Sequence, residues 1–360
     1  MSSIPVSVLT GFLGSGKTTL LNRLLRDPAM SGAAVIINEW GEVSIDHLLV
    51  EKSTEGIVQL SGGCLCCTVR GDLADTLADL AARAANGEIG PLSRVVVETT
   101  GLADPVPVLQ LLIAHPFLSE AFRLDGVITL VDALHGLETL DTHEEARAQV
   151  GVADRLLISK KDLAAPEQVA TLAAALRDLN PRSPLSDAAQ ADAAILSAGL
   201  IDPATRKPDI ARWLGAHRHD HDHHDHDHHS HEHHHHHGIG SFVLTHDGPL
   251  PYASIDAFLD LVRSQHGPHL LRLKGIVELS EAPAHPLVVH GVRDTLHPPT
   301  SLKAWPDDTR GARLVLIGRH LDEAPIRALW NAVSGRAELD RPDRAALLDN
   351  PLAIPGMAAR

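Results

Sequence analysis

All three cysteines of this 360-residue chain lie within the short sequence GGCLCC, at Cys64, Cys66 and Cys67. Cysteines that fill a hydrophobic core are usually scattered along a chain. Thiolates are the donors that zinc, cobalt and cuprous copper prefer, whereas a redox pair usually has the spacing C-x-x-C, which is absent here. The cluster therefore predicts a transition-metal site. A redox pair and three buried core residues are the alternatives.

Three thiolates in so short a loop do not easily complete a tetrahedral shell around one ion. We expect a carboxylate or an imidazole from elsewhere in the chain to complete it, and Glu39 or Glu42 in NEWGEVSID is the leading candidate. Gly62 and Gly63 give the loop the freedom to bend, which Cys67 needs in order to face the same way as the other two thiols.

A second set of candidate functional residues lies in GFLGSGKTT, which fits the phosphate-binding pattern G-x-x-x-x-G-K-[ST]. An apolar strand pattern precedes it and a leucine-rich helical pattern follows, as a P-loop requires. In such a loop the main-chain N–H groups surround phosphate oxygens, Lys17 reaches the β- and γ-phosphates, and the Thr18 hydroxyl binds Mg²⁺. A glycine-rich turn that fits by chance is the alternative. The predicted nucleotide ligands here are Gly11, Gly14, Ser15, Gly16, Lys17, Thr18 and Thr19.

A P-loop also needs an acidic residue near the metal, at the end of a neighbouring strand. Glu98 follows the apolar run RVVV, and Asp132 ends VITLVD. We favour Glu98 on position, with Asp132 as its competitor, and a helix cap or a solvated loop as the alternative for either. Lys17, Thr18 and Glu98 are thus the predicted catalytic residues.

The sequence SKKD follows the run RLLI and resembles the guanine-binding pattern N-K-x-D. Asp162 would accept hydrogen bonds from the guanine base, and the aliphatic part of Lys160 would cover the ring. This favours GTP over ATP, although Ser159 replaces the usual Asn and leaves the selectivity open. A lysine-rich surface turn is the alternative.

Residues 217–237 form a separate histidine-rich tract, with fourteen histidines, five acidic residues and no apolar residue. Such a segment has nothing to bury, so we expect it to be disordered without metal and to bind divalent transition metals as a reservoir. A purification tag is the alternative. The predicted ligands are His217, His219, His221, His223, His224, His226, His228, His229, His231, His233, His234, His235, His236 and His237.

The elements that must position these residues alternate between strand and helix patterns in the first half of the chain. This predicts an α/β P-loop NTPase domain with a mostly parallel sheet. The loop 39–46 and the cysteine loop are each expected to lie one strand from the P-loop, and residues 186–215 are expected to pack loosely. Beyond the tract, strands with two helices predict a smaller α+β domain. The predicted divisions are 1–215, 216–238, 239–345 and a tail, 346–360.

Composition excludes other classes of protein. A formal net charge of −15 argues against nucleic-acid binding, which needs a basic face. No apolar run approaches the roughly 20 residues that cross a bilayer, and the first residues lack the features of a secretory signal. Three clustered cysteines cannot form a disulfide framework, which fits a reducing compartment. We therefore predict a cytoplasmic protein without membrane or nucleic-acid partners.

Taken together, these motifs resemble the CobW-type metallochaperone GTPases. The resemblance rests on GFLGSGKTTLLN, IINEWGEVSID, GGCLCCTVRGDL, VVVETTGLADPVPV, ITLVDA and SKKD, in that order. It extends to LLRLKGIVEL, VVHGV, AWP and RLVLIGR near the C-terminus, and so covers nearly the whole chain except the histidine-rich tract. Trp40 stands where a Phe is usual in that family, and Ser44 where a Gly is usual.

The resemblance implies nucleotide at Gly14, Gly16, Lys17, Thr18, Thr19, Lys160 and Asp162. It implies metal at Cys64, Cys66 and Cys67, with Glu39 nearby. The expected function is a GTP-hydrolysing chaperone that binds Mg²⁺ with its nucleotide, carries zinc or else cobalt, and delivers it to a client apoprotein. A metal- or nucleotide-dependent dimer is left open. The alternatives are a non-enzymatic metal buffer, a nickel inserter of the urease or hydrogenase type, and an ATP-dependent small-molecule kinase.

Overall fold

The computed structural model of the protein describes residues 3–38, 57–60, 69–200, 208–215 and 238–335. Cys64, Cys66, Cys67, Glu39 and Glu42 lie outside these residues, as does the histidine-rich tract.

The N-terminal part contains a seven-stranded sheet, in the order β3-β2-β4-β1-β5-β6-β7. Every strand pairing in it is parallel, so the predicted parallel sheet is confirmed. Its strands are β1 (Ile4–Gly11), β2 (Ala33–Asn38), β3 (Ile57–Leu60), β4 (Arg94–Glu98), β5 (Phe122–Asp132), β6 (Arg155–Ser159) and β7 (Leu185–Asp187).

Helices cover both faces of this sheet, which explains why its strands read as continuous apolar runs. Val95 and Val97 face one hydrophobic core, while Val96 between them faces the other. The helices are α1 (Lys17–Leu24), α2 (Val69–Ala85), α3 (Val106–Ala114), α4 (Pro116–Ala121), α5 (Gly136–Thr142), α6 (Glu144–Gly151), α7 (Pro166–Leu179) and α8 (Ile210–Leu214). Short 3₁₀ turns span Pro28–Met30, Ala188–Gln190 and Ala193–Leu196. The first core lies under α2, α3, α6 and α7, and the second under α1.

Two expectations about this part are wrong. One strand, β4, separates β2 from β1, as expected for the loop that begins at residue 39. Two strands, β2 and β4, separate β3 from β1, so the cysteine loop begins farther from the P-loop than expected. After β3 the chain crosses over the sheet, and β4 pairs beside β1. The order of the strands along the chain does not determine this position. In addition, the described residues from 186 to 215 pack closely, with Leu196, Ile210 and Trp213 buried.

The C-terminal part contains an antiparallel sheet ordered β11-β10-β9-β13-β8, with β12 paired to β10. Its strands are β8 (Ile239–His246), β9 (Leu270–Leu279), β10 (Ala282–Val292), β11 (Thr295–Leu296), β12 (Thr300–Ser301) and β13 (Ala312–Arg319). The helices α9 (Tyr252–His266) and α10 (Glu323–Val333) cover one face. This arrangement confirms the predicted smaller α+β domain.

The other face of the antiparallel sheet packs against the N-terminal part. Leu314 and Leu316 on β13 face α9 and α10, whereas Val315 and Ile317 belong to the core shared with the parallel sheet. Both faces of β13 are therefore buried, and the two parts form a continuous structure.

Charged side chains also join the two parts. Asp154, at the start of β6, accepts hydrogen bonds from Arg272 and Lys274 of β9, and the Lys274 ammonium also donates to the main chain of Trp213. The side chains of Asp154, Arg272 and Lys274 are all at least nine-tenths buried. We call these three residues the interdomain cluster. No helix in the described part of the chain is long and apolar enough to cross a membrane.

Candidate nucleotide and metal site

The P-loop spans the gap between the end of β1 at Gly11 and the start of α1 at Lys17. Gly16 caps the helix with a φ of 92°, a left-handed conformation that residues with a side chain rarely adopt. The Ser15 N–H donates to the Phe12 carbonyl at 3.2 Å, which closes the turn. The loop therefore leads into a helix N-terminus, where the direction of the main-chain N–H groups favours anions.

Lys17 lies within this turn and is 8% exposed. Its ammonium donates to the Gly11 carbonyl at 2.8 Å and to the Phe12 carbonyl at 3.2 Å. The side chain thus folds back over the loop and places a positive charge at the position where a P-loop binds phosphate.

Glu98 ends β4, and β4 pairs directly with β1, so that Leu9 lies opposite Glu98. The Thr18 hydroxyl donates to Glu98 Oε1 at 2.8 Å, and Glu98 is 4% exposed. A hydroxyl and a buried carboxylate are hard oxygen donors, the kind that Mg²⁺ prefers. The donor set at Thr18 and Glu98 therefore fits a magnesium ion.

Asp132, the other acid considered, has a different neighbour. Its carboxylate pairs with the Lys160 ammonium at 2.7 Å and accepts the Leu134 N–H at 2.8 Å. Asp132 therefore orients Lys160, whereas Glu98 contacts Thr18. The role of Asp132 as a partner of Lys160 has no separate sequence signal, because the two residues lie 28 positions apart.

The segment SKKD lies at the carboxyl end of β6, close to the P-loop. The Ser159 hydroxyl donates to the Ser15 carbonyl at 2.7 Å, and Ser159 is buried. Lys160 adopts a left-handed φ of 55°, which turns the chain after β6. Asp162 lies exposed just beyond this turn. The structure thus brings the predicted base-binding residues and the P-loop to the same edge.

The segment after Glu98 is held tightly against the P-loop. A Cβ at Gly101 would come within 2.5 Å of the Leu13 nitrogen, so only glycine fits at this close approach. The Gln149 side chain donates to the Gly101 and Ala103 carbonyls at 3.1 and 3.0 Å. Sequence reasoning missed Gln149, and nothing in its helical surroundings signals this role.

A cavity of about 270 Å³ lies between the P-loop, β5 and the helices α5 and α6. Phe12 and Leu13 line one side, and Leu140 and Val150 line the other. Leu140 and Val150 also belong to the hydrophobic core. The cavity is an extension of the packing behind the P-loop, and we assign it no ligand.

The predicted transition-metal ligands lie outside the described residues, and only the strands that precede them in the chain are described. β2 ends at Asn38, just before Glu39, and β3 ends at Leu60, just before the cysteine loop. In a parallel sheet both carboxyl ends meet the same edge as the end of β1, although β3 lies about 14 Å from β1 at the usual strand spacing. Among the described residues there is no group of three or more His, Cys, Asp or Glu that could hold a metal ion.

The parallel sheet, the strand–loop–helix at Gly11–Lys17 and the adjacent Glu98 define a P-loop nucleotide-binding protein. Comparison with known proteins identifies its family. Residues 5–187 match the nucleotide-binding domain of the CobW/HypB/UreG family, and residues 239–334 match the cobalamin synthesis protein CobW C-terminal domain. The chain therefore belongs to the CobW/HypB/UreG family, as the motifs predicted.

Two curated relatives, both named zinc chaperones, match over nine-tenths or more of their own length. The zinc chaperone YjiA of Escherichia coli is 33% identical over 92% of this chain and 98% of its own. The zinc chaperone CobW of Pseudomonas aeruginosa is 31% identical over 91% and 90%, respectively. The crystal structure of Zn(II)-bound YjiA GTPase from E. coli is similar with a TM-score of 0.64 at 28% identity, over 92% of this chain and 99% of that one.

Proposed function

We propose that this protein is a GTP-hydrolysing zinc chaperone, which binds zinc at the cysteine loop and transfers it to a client apoprotein. The observation that carries the proposal is the contact between Thr18 and Glu98 beside the P-loop, at the same sheet edge where β3 leads into Cys64. The two relatives named zinc chaperones and the Zn(II)-bound YjiA structure support zinc as the cargo.

The nucleotide step uses residues that the fold already holds together. The N–H groups of the P-loop and the start of α1 bind the phosphates, and the Lys17 ammonium moves from its carbonyl partners to the phosphate oxygens. Thr18 and Glu98 would hold Mg²⁺, and the ion would supply positive charge that neutralises the phosphate oxygens. Hydrolysis of the terminal phosphate is the reaction that this arrangement supports.

The base is selected at the end of β6. Asp162 accepts hydrogen bonds from the guanine ring, while the Lys160 stem, oriented by Asp132, covers one face of it. The hydrogen bond from Ser159 to Ser15 fixes the distance between the base-binding segment and the P-loop. This hydrogen bond is why we retain GTP as the substrate although Ser159 stands where N-K-x-D has Asn.

The cargo site comprises Cys64, Cys66 and Cys67, completed by Glu39 or Glu42. Thiolates with one carboxylate give a four-coordinate site that suits zinc and accepts cobalt. The loops that carry these residues follow β2 and β3, and β4 with Glu98 lies between them and β1. We infer that contacts with the γ-phosphate order these loops and that hydrolysis loosens them, so that the metal is released.

The histidine-rich tract supplies metal, and the C-terminal domain takes part in its delivery to the client. The tract serves as a metal reservoir of low specificity. The C-terminal domain docks the client, and its match to the CobW C-terminal domain favours a CobW-type chaperone over a nickel inserter that lacks this domain.

The test is metal analysis combined with GTP turnover in three proteins: the full chain, the chain without residues 217–237, and that deletion with all three cysteines changed to Ser. We expect the deletion to keep one tightly bound zinc and full turnover, and the cysteine variant to lose that zinc. Tight zinc that survives the loss of all three cysteines would overturn the cysteine loop as the cargo site. Zinc binding without any GTP turnover would instead indicate a metal buffer.

A further inference from the structure

A small cavity of about 20 Å³ lies between the two domains, next to the interdomain cluster. Strand β9 lines it with Arg272 and Lys274, and the N-terminal part contributes Asp154, Arg182 and Arg212. Its volume is close to that of one water-sized sphere. The cavity therefore suits a single small molecule or a monoatomic ion.

Arg272 has hydrogen-bonding capacity that no described residue uses. Its Nη2 donates to Asp154 at 3.3 Å, but its Nε and Nη1 are buried and have no partner in the described part of the chain. The side chain is 5% exposed, so bulk water does not solvate these groups. Buried donors without partners are rare in folded proteins, because each loses its hydrogen bonds to water without replacement.

The charges around the cavity do not balance. Four basic side chains, Arg182, Arg212, Arg272 and Lys274, line it. Among the described residues only two acids pair with them: Asp154 with Arg272 and Lys274, and Asp209 with Arg212. This leaves an excess of two positive charges. Arg212 also donates to the Ser197 and Gly199 carbonyls, so its side chain is held in place.

Asp125 interacts with Arg212, but it also faces Arg94 and Arg123, so it does not offset this excess. The His290 imidazole is buried beside Arg272 and Lys274, and burial holds its pKa well below the usual range, so it is neutral. Arg155 lies close enough to interact with Asp154 and Arg212, and adds a further positive charge. Buried charges are normally paired, because an unpaired one carries a large desolvation cost. A water molecule in the cavity would accept a hydrogen bond but would leave the charge uncompensated.

From these observations we propose that the cavity binds a small monovalent anion of the size of chloride, held by the Nε and Nη1 groups of Arg272. The anion contacts basic residues from both parts of the chain, because Arg272 lies on β9 whereas Arg182 follows α7 and Arg212 lies in α8. It therefore binds only when the two domains are docked. By linkage, the anion stabilises the docked structure, independently of nucleotide and of transition metal.

The test compares thermal unfolding of the full-length protein in sodium chloride and in sodium gluconate at equal ionic strength, with a metal chelator present. We expect chloride to raise the unfolding midpoint by about 2–4 °C for binding well above its dissociation constant. Arg272→Met should abolish this difference. Arg263→Met is the matched control, because Arg263 lies exposed on α9 and pairs with nearby Asp260, and it should keep the difference.

A second measurement covers the case in which Arg272→Met does not fold. Crystals of the unmodified protein grown in sodium bromide should show an anomalous peak for bromide within the cavity, in contact with Arg272. An ordered water there without an anomalous signal would overturn the proposal. So would equal midpoints in chloride and gluconate, or a chloride effect that Arg272→Met retains.

Discussion

Lys17 and Lys274 are buried to the same extent, each 8% exposed, but they have different partners. Lys17 begins α1, and its ammonium donates to the Gly11 and Phe12 carbonyls of the P-loop. Lys274 lies within β9, and its ammonium donates to the carboxylate of Asp154 and to the main chain of Trp213. One lysine therefore lies at the open edge of a parallel sheet, and the other lies between two domains.

Burial alone therefore does not distinguish a functional lysine from a structural one. Carbonyl groups are weaker partners for an ammonium than phosphate is, so Lys17 can transfer to a nucleotide at small cost. Lys274 has a buried carboxylate as its partner, and although burial lowers its pKa, Asp154 opposes this and keeps the ion pair. We therefore assign Lys17 to chemistry and Lys274 to the joining of the domains.

Lys17→Ala should give the largest effect. The variant removes the positive charge that stabilises the terminal phosphate, and removal of a comparable charge-stabilising group lowers turnover about 1000-fold. GTP hydrolysis measured by phosphate release checks this. Thermal stability should change little, and Lys303→Ala, at an exposed site in the C-terminal domain, should keep full turnover. Turnover retained in Lys17→Ala would remove Lys17 from the nucleotide site.

Lys274→Met should lower the stability of the protein and leave GTP turnover nearly unchanged. Removing one partner of a buried ion pair costs about 3–5 kcal/mol in general, and we expect about 3 kcal/mol here because Arg272 still pairs with Asp154. Urea unfolding measures this loss, and GTP turnover per folded molecule should stay within about twofold of the unmodified protein. Lost turnover at unchanged stability would contradict the comparison.

The matched control for Lys274→Met lies at the rim of the same interface. Arg319 pairs with Glu144 at 2.9 Å, but the Glu144 side chain is 70% exposed. Because water screens exposed ion pairs, Arg319→Met should cost less than about 1 kcal/mol.

The pH dependence of stability tests a third buried charge. Burial raises the pKa of Asp125 to about 6, and the negative charge of Asp154 adds to the rise. The positive charges of Arg94, Arg123 and Arg212 oppose it. Because the Asp125 carboxyl binds its proton more tightly in the folded protein, it stabilises the fold fully when the pH is below its unfolded pKa of 3.8. This contribution is lost as the pH rises through about 6. Between pH 4 and pH 7 the free energy of unfolding should therefore fall by up to about 3 kcal/mol more than in Asp125→Asn. Parallel pH profiles of the two proteins would refute the raised pKa.

Ser159→Ala should give the smallest effect. It removes the hydrogen bond to the Ser15 carbonyl, and a single neutral hydrogen bond contributes about 1 kcal/mol, or about a fivefold change in affinity. We expect the KM for GTP to rise by about that factor with kcat nearly unchanged. Ser186→Ala, at an exposed position on β7, is the control. An unchanged KM would show that Ser159 does not position the P-loop.

Much of the parallel sheet could be predicted because its strands are continuous apolar runs bounded by polar residues. β4 and β6 coincide with the apolar runs RVVV and RLLI, each extended by the residue that follows. The P-loop was predictable for the same reason, since its strand, glycines and helix are consecutive. The roles of Glu98, Lys160 and Asp162 stay predictions, although the structure brings Glu98 to Thr18 and Lys160 to Asp132.

The arrangement of the strands and the domain interface could not be predicted in the same way. β4 lies between β1 and β2 because of a crossover that depends on packing of the whole sheet. Asp154 is one acid among many, and its partners lie more than a hundred residues away. The available signal was the pair Arg272 and Lys274, two cations at alternate positions of an otherwise apolar strand, which indicates that one face meets a buried acid.

The proposed function requires that the nucleotide state controls the affinity of the cysteine loop for zinc. The most direct test is the zinc affinity of the chain without residues 217–237, measured with a non-hydrolysable GTP analogue and with GDP. We predict tighter zinc binding with the GTP analogue by about 5–150-fold, with an equal effect of zinc on the affinity for the analogue. Equal zinc affinity in the two nucleotide states would contradict this account.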